Sequence, residues 1–289
     1  MQEDKIEKVS NALAAAWRDG GSVDLSEDLW PMDTVESLQI QDAFDAKIDE
    51  DIAGWKIAVT DKLSQRTFGL DHPAFYGRCY QSVTQQSPAH FRISDFRNHP
   101  ILVEAEFGVR LGQDLPTRDE PYVIEEIHDA VEAVVMTIDV VDTRWYYDPL
   151  DWPEPGCLDF LRGGADLANS GAFVIGDEIP GWGDLDLASL PVEMYLDGKF
   201  ASRGGVIGPG GSEGGPSVPF PRDRRLDFSE MVAGVHWAAN TLSQHKLGMR
   251  KGQVITTGSA AQLLAEPGAE ASVAYGEDGV CGEIRMTIA

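Results

Sequence analysis

The sequence predicts an α+β protein, with helices in its first fifty residues and a strand-rich body after Gly54. After Gly54, short apolar runs are separated by Gly, Pro, Asp and Asn, which is typical of strands. These runs do not alternate regularly with helices, which disfavours a doubly wound parallel sheet. We therefore expect a helical portion over residues 1–53 and an α+β body over residues 54–289. In the helical portion, apolar residues recur at helical spacing at Ile6, Val9, Leu13 and Ala16.

The boundaries of three helices can be predicted from the sequence. The first ends at Gly20-Gly21, and the second begins near Asp33, where Glu36 three residues later predicts a capping box. A third is predicted from about Phe228 to Gln244. The apolar face of the second helix is predicted to comprise Val35, Leu38, Ala43, Phe44 and Ile48. Strands are predicted at residues 55–59, 102–111, 133–141, 172–176, 192–196, 253–258 and 283–288.

The chain is strongly acidic. It has 48 acidic residues against 23 basic ones, a formal net charge of -25. Such a surface repels phosphate backbones and anionic lipid head groups, so nucleic acid and membranes are disfavoured as partners. The N-terminus lacks the apolar run of a signal peptide, and no segment approaches the roughly 20 apolar residues that span a bilayer. Cys79, Cys157 and Cys281 have neither disulfide nor zinc-ligand spacing, so the expected location is the reducing cytoplasm.

Residues 203–222 are rich in Gly and Pro and predict a long loop. The loop lacks the strand-then-helix setting and the spacing of a dinucleotide-binding fingerprint. It is either a tolerated surface insertion or a lid that governs specificity.

Glu104 and Glu106 alternate with apolar residues in a predicted strand. Because successive side chains on a strand point to opposite faces, the two carboxylates share one face, while Val103, Ala105 and Phe107 share the other. The carboxylates either converge on a hard cation or form the solvated side of an ordinary half-buried strand.

Asp139 lies within an apolar run, residues 133–141, that is long enough to be buried on both faces. An ionised carboxylate is costly there unless it is paired, hydrogen-bonded or bound to metal. One alternative is a structural salt bridge, for example to Arg144. As a ligand, Asp139 would complete with Glu104 and Glu106 the oxygen-rich shell that Mg²⁺ or Mn²⁺ prefers.

Lys56 lies between Trp55 and Ile57 in a short predicted strand. A lysine flanked by apolar residues can be desolvated, which would lower its pKa and suit a general base or a carboxylate anchor. The alternative is a lysine that extends its ammonium to solvent.

Six segments resemble, in order along the chain, motifs of the fumarylacetoacetate hydrolase superfamily. The resemblance is to its 2-oxopent-4-enoate hydratase and 4-oxalocrotonate decarboxylase group, and it extends from about residue 33 to the C-terminus. The segments are GWKIAVT (54–60), FGLDHP (68–73), VEAEFG (103–108), IDVVDTR (138–144), DLANSG (166–171) and KGQVITTGS (251–259).

The resemblance implies a fold of layered, partly rolled mixed sheets with N-terminal helices, assembled as a homo-oligomer. It implies that Glu104, Glu106 and Asp139 are the ligands of one Mg²⁺ or Mn²⁺. Lys56 and Asp71 are then expected on the acid–base side of the pocket.

The resemblance also implies a small-molecule substrate, a 2-oxo or 2-hydroxydienoic acid. Ser170, Thr257 and Ser259 are expected near its carboxylate. The implied reaction is the addition of water to a 2-hydroxydienoate or 2-oxo-enoate to give a 4-hydroxy-2-oxo acid, through a metal-chelated enolate. The same enolate serves decarboxylation of the 4-oxalocrotonate type and C–C hydrolysis. Hydrolase relatives use a His–Glu pair, which has no matching motif near the N-terminus, so hydration ranks first, decarboxylation second and hydrolysis third.

Three positions depart from the pattern of the hydratases. Asp139 stands where they usually have Glu, which shortens the reach by one methylene. Leu167 and Asn169 replace an Asn and a Ser, removing polar groups that orient water. These changes leave open a second class of function, in which the chain is catalytically silent and assembles with a related enzyme. An active enzyme of this group could also form a complex with a partner enzyme of its pathway.

Overall fold

The computed structural model describes residues 2–147, 159–204 and 227–289. Cys157 and residues 205–222 of the predicted loop lie outside the described residues. The α-helices are α1 (Gln2–Asp19), α2 (Thr34–Asp45), α3 (Lys62–Thr67), α4 (Ile124–Ala130), α5 (Phe160–Ala165) and α6 (Phe228–Gln244). The strands are β1 (Ile52–Ala58), β2 (Phe75–Tyr80), β3 (Thr84–Gln86), β4 (Ala89–Phe91), β5 (Ile101–Leu111), β6 (Val131–Val141), β7 (Ser170–Glu178), β8 (Val192–Leu196), β9 (Lys199–Gly204), β10 (Val254–Ala265), β11 (Glu270–Tyr275) and β12 (Gly282–Ile288).

The strands form two sheets. A seven-stranded sheet has the order β2-β1-β10-β5-β6-β7-β3, and a five-stranded sheet has the order β4-β12-β11-β8-β9. In the larger sheet β1 pairs with β10 and β3 pairs with β7 in parallel, while the other pairings are antiparallel. Mixed sheets with separate helices confirm the predicted α+β class. Within the described residues, no helix is both long enough and apolar enough to cross a membrane.

One face of the seven-stranded sheet packs against the five-stranded sheet. The ring of Phe107 on β5 meets that of Tyr275 on β11 edge to face, with centroids 5.5 Å apart. The Tyr275 hydroxyl also donates a hydrogen bond to the backbone carbonyl of Glu106 at 2.7 Å. The shared core includes Val103, Ala105, Val140, Val273, Ile284 and Met286.

The opposite face of the seven-stranded sheet is concave. In a flat sheet, β1 and β6 would lie about 14 Å apart, because β10 and β5 intervene and strands are about 4.8 Å apart. Nevertheless, the Lys56 ammonium on β1 donates a hydrogen bond to the Asp139 carboxylate on β6. Cys79 Sγ on the edge strand β2 likewise lies 3.8 Å from Ser170 Oγ on β7. The sheet is therefore strongly curled, and the expectation of partly rolled sheets is confirmed.

Helix α2 begins as predicted, but its capping and its apolar face differ from the prediction. The Asp33 carboxylate accepts a hydrogen bond from the backbone N–H of Glu36 at 2.8 Å. The Glu36 carboxylate accepts instead from the backbone N–H of Met32 (2.7 Å) and the ammonium of Lys5 (2.9 Å), so it does not complete a capping box. Val35, which was predicted on the apolar face, is exposed. The buried apolar residues of the helix are Leu38, Ile40 and Phe44.

A buried arginine on β2 ties the helices to the sheet. Arg78 forms ion pairs with Asp42 and Asp45 of α2, each at 2.9 Å. The ring of His245, at the end of α6, forms a hydrogen bond with the other carboxylate oxygen of Asp42. This network explains why the sequence failed to predict β2: a charged residue interrupts the apolar pattern, and only its tertiary partners make its burial tolerable.

Gly77 on β2 allows a close approach between the two ends of the curled sheet. A Cβ atom at this position would lie 2.1 Å from the carbonyl oxygen of Leu167, in the short turn that leads into β7. Because that carbonyl oxygen belongs to packed backbone and cannot swing away, we expect Gly77→Ala to destabilise the fold by about 2 kcal/mol or more. Chemical denaturation followed by circular dichroism measures this change.

Gly21→Ala is the matched control, since a Cβ there would meet nothing within 4 Å. We expect it to change the free energy of unfolding by less than about 1 kcal/mol. Equal stability of the two variants would contradict the proposed close approach.

Candidate metal centre and active site

Glu104, Glu106 and Asp139 come together on the concave face of the seven-stranded sheet. The register of β5 and β6 places Glu104 directly opposite Asp139 and Glu106 opposite Thr137. One carboxylate oxygen from each of the three residues lies within 4.8 Å of the other two. The residues are 9%, 1% and 0% exposed, so they do not form the solvated side of an ordinary strand.

Lys56 forms ion pairs with this carboxylate cluster. Its ammonium binds the Asp139 carboxylate and lies 3.6 Å from Oε2 of Glu104. The side chain is buried rather than extended to solvent. Burial lowers the pKa of Lys56, but the charges of the three carboxylates outweigh this effect and raise the pKa above its ordinary value. The expectation of a lowered pKa is therefore wrong for the chain without a cation.

Asp139 does not pair with Arg144, the alternative considered from the sequence. The Arg144 guanidinium binds the carboxylate of Asp166 instead, and both side chains are fully buried. This separate pair holds the segment that leads into β7, because Arg144 also donates to the backbone carbonyl of Ser170 at 3.0 Å.

Each carboxylate of the cluster is held through one oxygen by a donor of the chain. Gln262 on β10 donates its side-chain N–H to Oε1 of Glu104, and the backbone N–H of Gly258 donates to Oε2 of Glu106 at 2.8 Å. Lys56 does the same for Oδ2 of Asp139. These donors fix the directions in which the remaining oxygens point.

The chemistry of the cluster fits a divalent cation. Among the described residues, three buried carboxylates face a single ammonium, and oxygen-only ligand sets suit Mg²⁺ and Mn²⁺. Burial, and then the neighbouring carboxylates, raise the pKa of Glu106 to about 8 and also raise that of Asp139. Oδ1 of Asp139 is buried without a hydrogen-bond partner. A bound cation would satisfy that oxygen and offset the excess negative charge.

The turn at Gly258 explains the positions of Thr257 and Ser259. The register of β10 against β5 shifts on both sides of Ser259, and Gly258 adopts a φ of 125°, which favours glycine. The Thr257 hydroxyl donates to the carbonyl of Phe107 at 3.0 Å, and that of Ser259 to the carbonyl of Ala261 at 3.2 Å. Both hydroxyls thus bind backbone, and their contact with a substrate stays a prediction.

Ser170 is buried at the start of β7. Its hydroxyl lies 3.8 Å from the thiol of Cys79, whose pKa is raised by burial and by the negative charge of Asp139. The expected proximity of Ser170 to a substrate carboxylate stays a prediction.

Asp71 lies outside the carboxylate cluster. Its side chain is 97% exposed, and its carboxylate is 3.8 Å from the ring of His72. It lines a cavity of about 670 Å³ between α2, α6 and the segment around α3, together with Thr60, Gln65 and Trp237. Within the described residues, no member of the carboxylate cluster lines this cavity. The catalytic role of Asp71 therefore stays a prediction.

Known proteins share this sequence pattern and fold. The 2-keto-4-pentenoate hydratase of Paraburkholderia xenovorans is 26% identical over 273 residues, which is 93% of this chain and 90% of that protein. The 2-hydroxyhexa-2,4-dienoate hydratase of Comamonas testosteroni is 27% identical over 215 residues, 74% of this chain and 70% of that protein. No family model matches the chain.

Among solved structures, the 4-oxalocrotonate decarboxylase of Pseudomonas putida G7, complexed with magnesium and adipate, has the same fold. It superposes with a TM-score of 0.75 at 18% identity, covering 100% of this chain and 99% of the decarboxylase. The chain is thus similar in sequence to curated hydratases and has the fold of a 4-oxalocrotonate decarboxylase. The resemblance seen in the sequence is thus confirmed. The curated relatives are hydro-lyases by name, which confirms the predicted class of enzyme.

The raised pKa of Glu106 predicts how the stability of the cation-free protein depends on pH. In the folded chain Glu106 keeps its proton up to about pH 8, whereas an unfolded chain releases it at about pH 4.3. The free energy of unfolding therefore falls as pH rises between these values. Glu106→Gln, which keeps an acceptor for Gly258, should remove this dependence and stabilise the cation-free protein at pH 8 by about 1 kcal/mol or more.

Thermal unfolding in the presence of EDTA at pH 5 and at pH 8 measures this difference. Glu132→Gln is the control, because Glu132 is exposed and pairs with Arg110. An equal difference in stability between the wild type and Glu106→Gln at pH 5 and at pH 8 would contradict the assignment of a proton to Glu106 in the folded chain.

Proposed function

We propose that this chain is a divalent-cation-dependent hydratase of 2-hydroxydienoic or 2-oxo-enoic acids that forms 4-hydroxy-2-oxo acids. The observation that carries the proposal is the buried cluster of Glu104, Glu106 and Asp139 with Lys56 against it. The curated hydratases support the reaction, and the magnesium complex of the related decarboxylase supports the kind of cation. Mg²⁺ and Mn²⁺ are the proposed cations.

Glu104, Glu106 and Asp139 would hold the cation. When bound, it supplies a Lewis acid for the carboxylate and 2-oxygen of the substrate. The side chains of Glu104 and Glu106 each keep one oxygen bonded to a donor on β10, so their orientation is fixed before substrate arrives. Because the cluster is buried, bulk water is excluded from it, which strengthens every electrostatic interaction there.

Lys56 is the proposed proton carrier. Hydration first moves the proton of the 2-hydroxyl to C5, which gives a conjugated 2-oxo-3-enoate; water then adds hydroxide at C4 and a proton at C3. Lys56 lies against the carboxylates of Asp139 and Glu104, and as an ammonium it would begin as an acid or as an anchor for the substrate carboxylate. Asp71 is the second proposed proton carrier, by the resemblance of its segment to the family motif.

Hydration can be tested directly by ultraviolet spectroscopy. With Mg²⁺ or Mn²⁺, the wild-type protein should consume 2-hydroxypenta-2,4-dienoate, seen as loss of the dienol absorbance, and EDTA should abolish the reaction. Glu106→Gln should lower kcat/KM at least about 100-fold, because the cluster loses one charged ligand, whereas the exposed control Glu132→Gln should stay near wild type. Turnover that is unaffected by EDTA and by Glu106→Gln would contradict the proposal.

Decarboxylation is the second candidate, because the fold matches that of the decarboxylase over the full chain. Supplying 4-oxalocrotonate and measuring released CO₂ separates the two reactions. Release of CO₂ without consumption of the dienoate would assign a decarboxylase. No turnover of either substrate would favour a silent assembly partner, whose association with itself or with a pathway enzyme can be measured by light scattering.

The proton carriers are tested by substitution. Lys56→Met should lower kcat about 100-fold or more, since general acid–base groups contribute factors of this size. Asp71→Asn should lower kcat with little change in stability, because its side chain is exposed. Stopped-flow measurement of both steps checks these outcomes, and full turnover by either variant would remove that residue from the mechanism.

A further inference from the structure

Thr256 on β10 differs from the other buried threonines of the described residues. Its hydroxyl oxygen is buried and has no hydrogen-bond partner among those residues. An unpaired buried hydroxyl costs free energy that an isosteric valine would avoid, so such a group calls for a functional explanation. The other buried threonines each donate to a backbone carbonyl or a buried carboxylate, and they are Thr60, Thr137, Thr143 and Thr257.

The strand register places Thr256 on the face that carries the carboxylates. Thr256 is the partner of Lys56 on the parallel strand β1 and of Gly108 on the antiparallel strand β5. Paired residues of neighbouring strands share a face, and Gly108 shares its face with Glu106 because the two are separated by one residue. The side chain of Thr256 therefore lies on the concave face, beside the stem of Lys56.

Lys56 and a divalent cation compete for the same carboxylate groups. The ammonium binds Oδ2 of Asp139 and lies 3.6 Å from Oε2 of Glu104, and these oxygens belong to two of the three proposed ligand side chains. A cation bound to these carboxylates would repel the ammonium and weaken both ion pairs. A buried ammonium without an acceptor is costly, so Lys56 needs another partner in the loaded enzyme.

We propose that the hydroxyl of Thr256 is this partner: it accepts a hydrogen bond from the ammonium of Lys56 when a divalent cation occupies the carboxylate cluster. Thr256 is then a positioning residue, which acts through Lys56 and holds it beside the site in its charged form. This inference rests on the proposed function. It assigns a role to a residue that the sequence motifs left unassigned, since the expected substrate contacts were its neighbours Thr257 and Ser259.

The test compares isosteric variants by isothermal titration with Mn²⁺, without substrate. Thr256→Val should weaken Mn²⁺ binding about tenfold, since a hydrogen bond to a charged group is lost, while its Tm stays equal to or above that of the wild type. Thr256→Ser, which keeps the hydroxyl, should bind within about twofold of the wild type. The control Thr143→Val removes a hydroxyl that binds Asp166, so it should lower the Tm and leave Mn²⁺ affinity unchanged.

A double-mutant cycle with Lys56→Met decides whether Thr256 acts through the lysine. In the Lys56→Met background no ammonium has to move, so Thr256→Val should have no effect on Mn²⁺ affinity. Wild-type affinity of the single variant Thr256→Val, or an equal loss in both backgrounds, would overturn the inference. Failure of the wild-type protein to bind Mn²⁺ would overturn the proposed cation site itself and, with it, this role of Thr256.

Discussion

The interaction on which the structure depends is the pairing of Lys56 with Asp139 and Glu104, two members of a cluster of three buried carboxylates. One ammonium cannot neutralise three ionised carboxylates, so the cluster either retains a proton, as Glu106 does, or keeps excess negative charge in a place from which water is excluded. The curl of the seven-stranded sheet creates this situation, because it brings β1 across to β6. The five-stranded sheet supports the curl from the outer face, where Tyr275 binds the backbone of Glu106. The curl of the seven-stranded sheet therefore determines both the overall fold and the geometry of the site.

Much of the cluster could be predicted from local sequence. The two-residue period of a strand suffices to place Glu104 and Glu106 on one face, and the apolar run around Asp139 suffices to predict a buried carboxylate. The partner of Asp139 could not be predicted locally, since Lys56 approaches from a strand three positions away in the sheet. The same distance explains the wrong expectation for the pKa of Lys56: its apolar neighbours are visible in the sequence, but the carboxylates that raise its pKa come from β5 and β6.

The residues that the sequence analysis missed lie around the irregular part of β10. Gln262 and the backbone of Gly258 hold the carboxylates, and Thr256 shares their face. This arrangement could not be predicted from the sequence, because the shifts in register around Ser259 break the strict alternation of side chains between the two faces of a strand. Thr257 and Ser259 were recognised through their motif, and their observed hydrogen bonds go to the backbone at this irregularity. The motif thus located the irregular turn, and the contact of its two hydroxyls with a substrate stays a prediction.

The central claim is that Glu104, Glu106 and Asp139 bind one divalent cation in place of the ammonium of Lys56. The most direct measurement is anomalous diffraction from crystals soaked in Mn²⁺. The account predicts a single strong anomalous peak within bonding distance of oxygens from all three carboxylates, with the Lys56 ammonium no longer bonded to Asp139. No anomalous peak in the cluster at saturating Mn²⁺, with Lys56 still on Asp139, would contradict it.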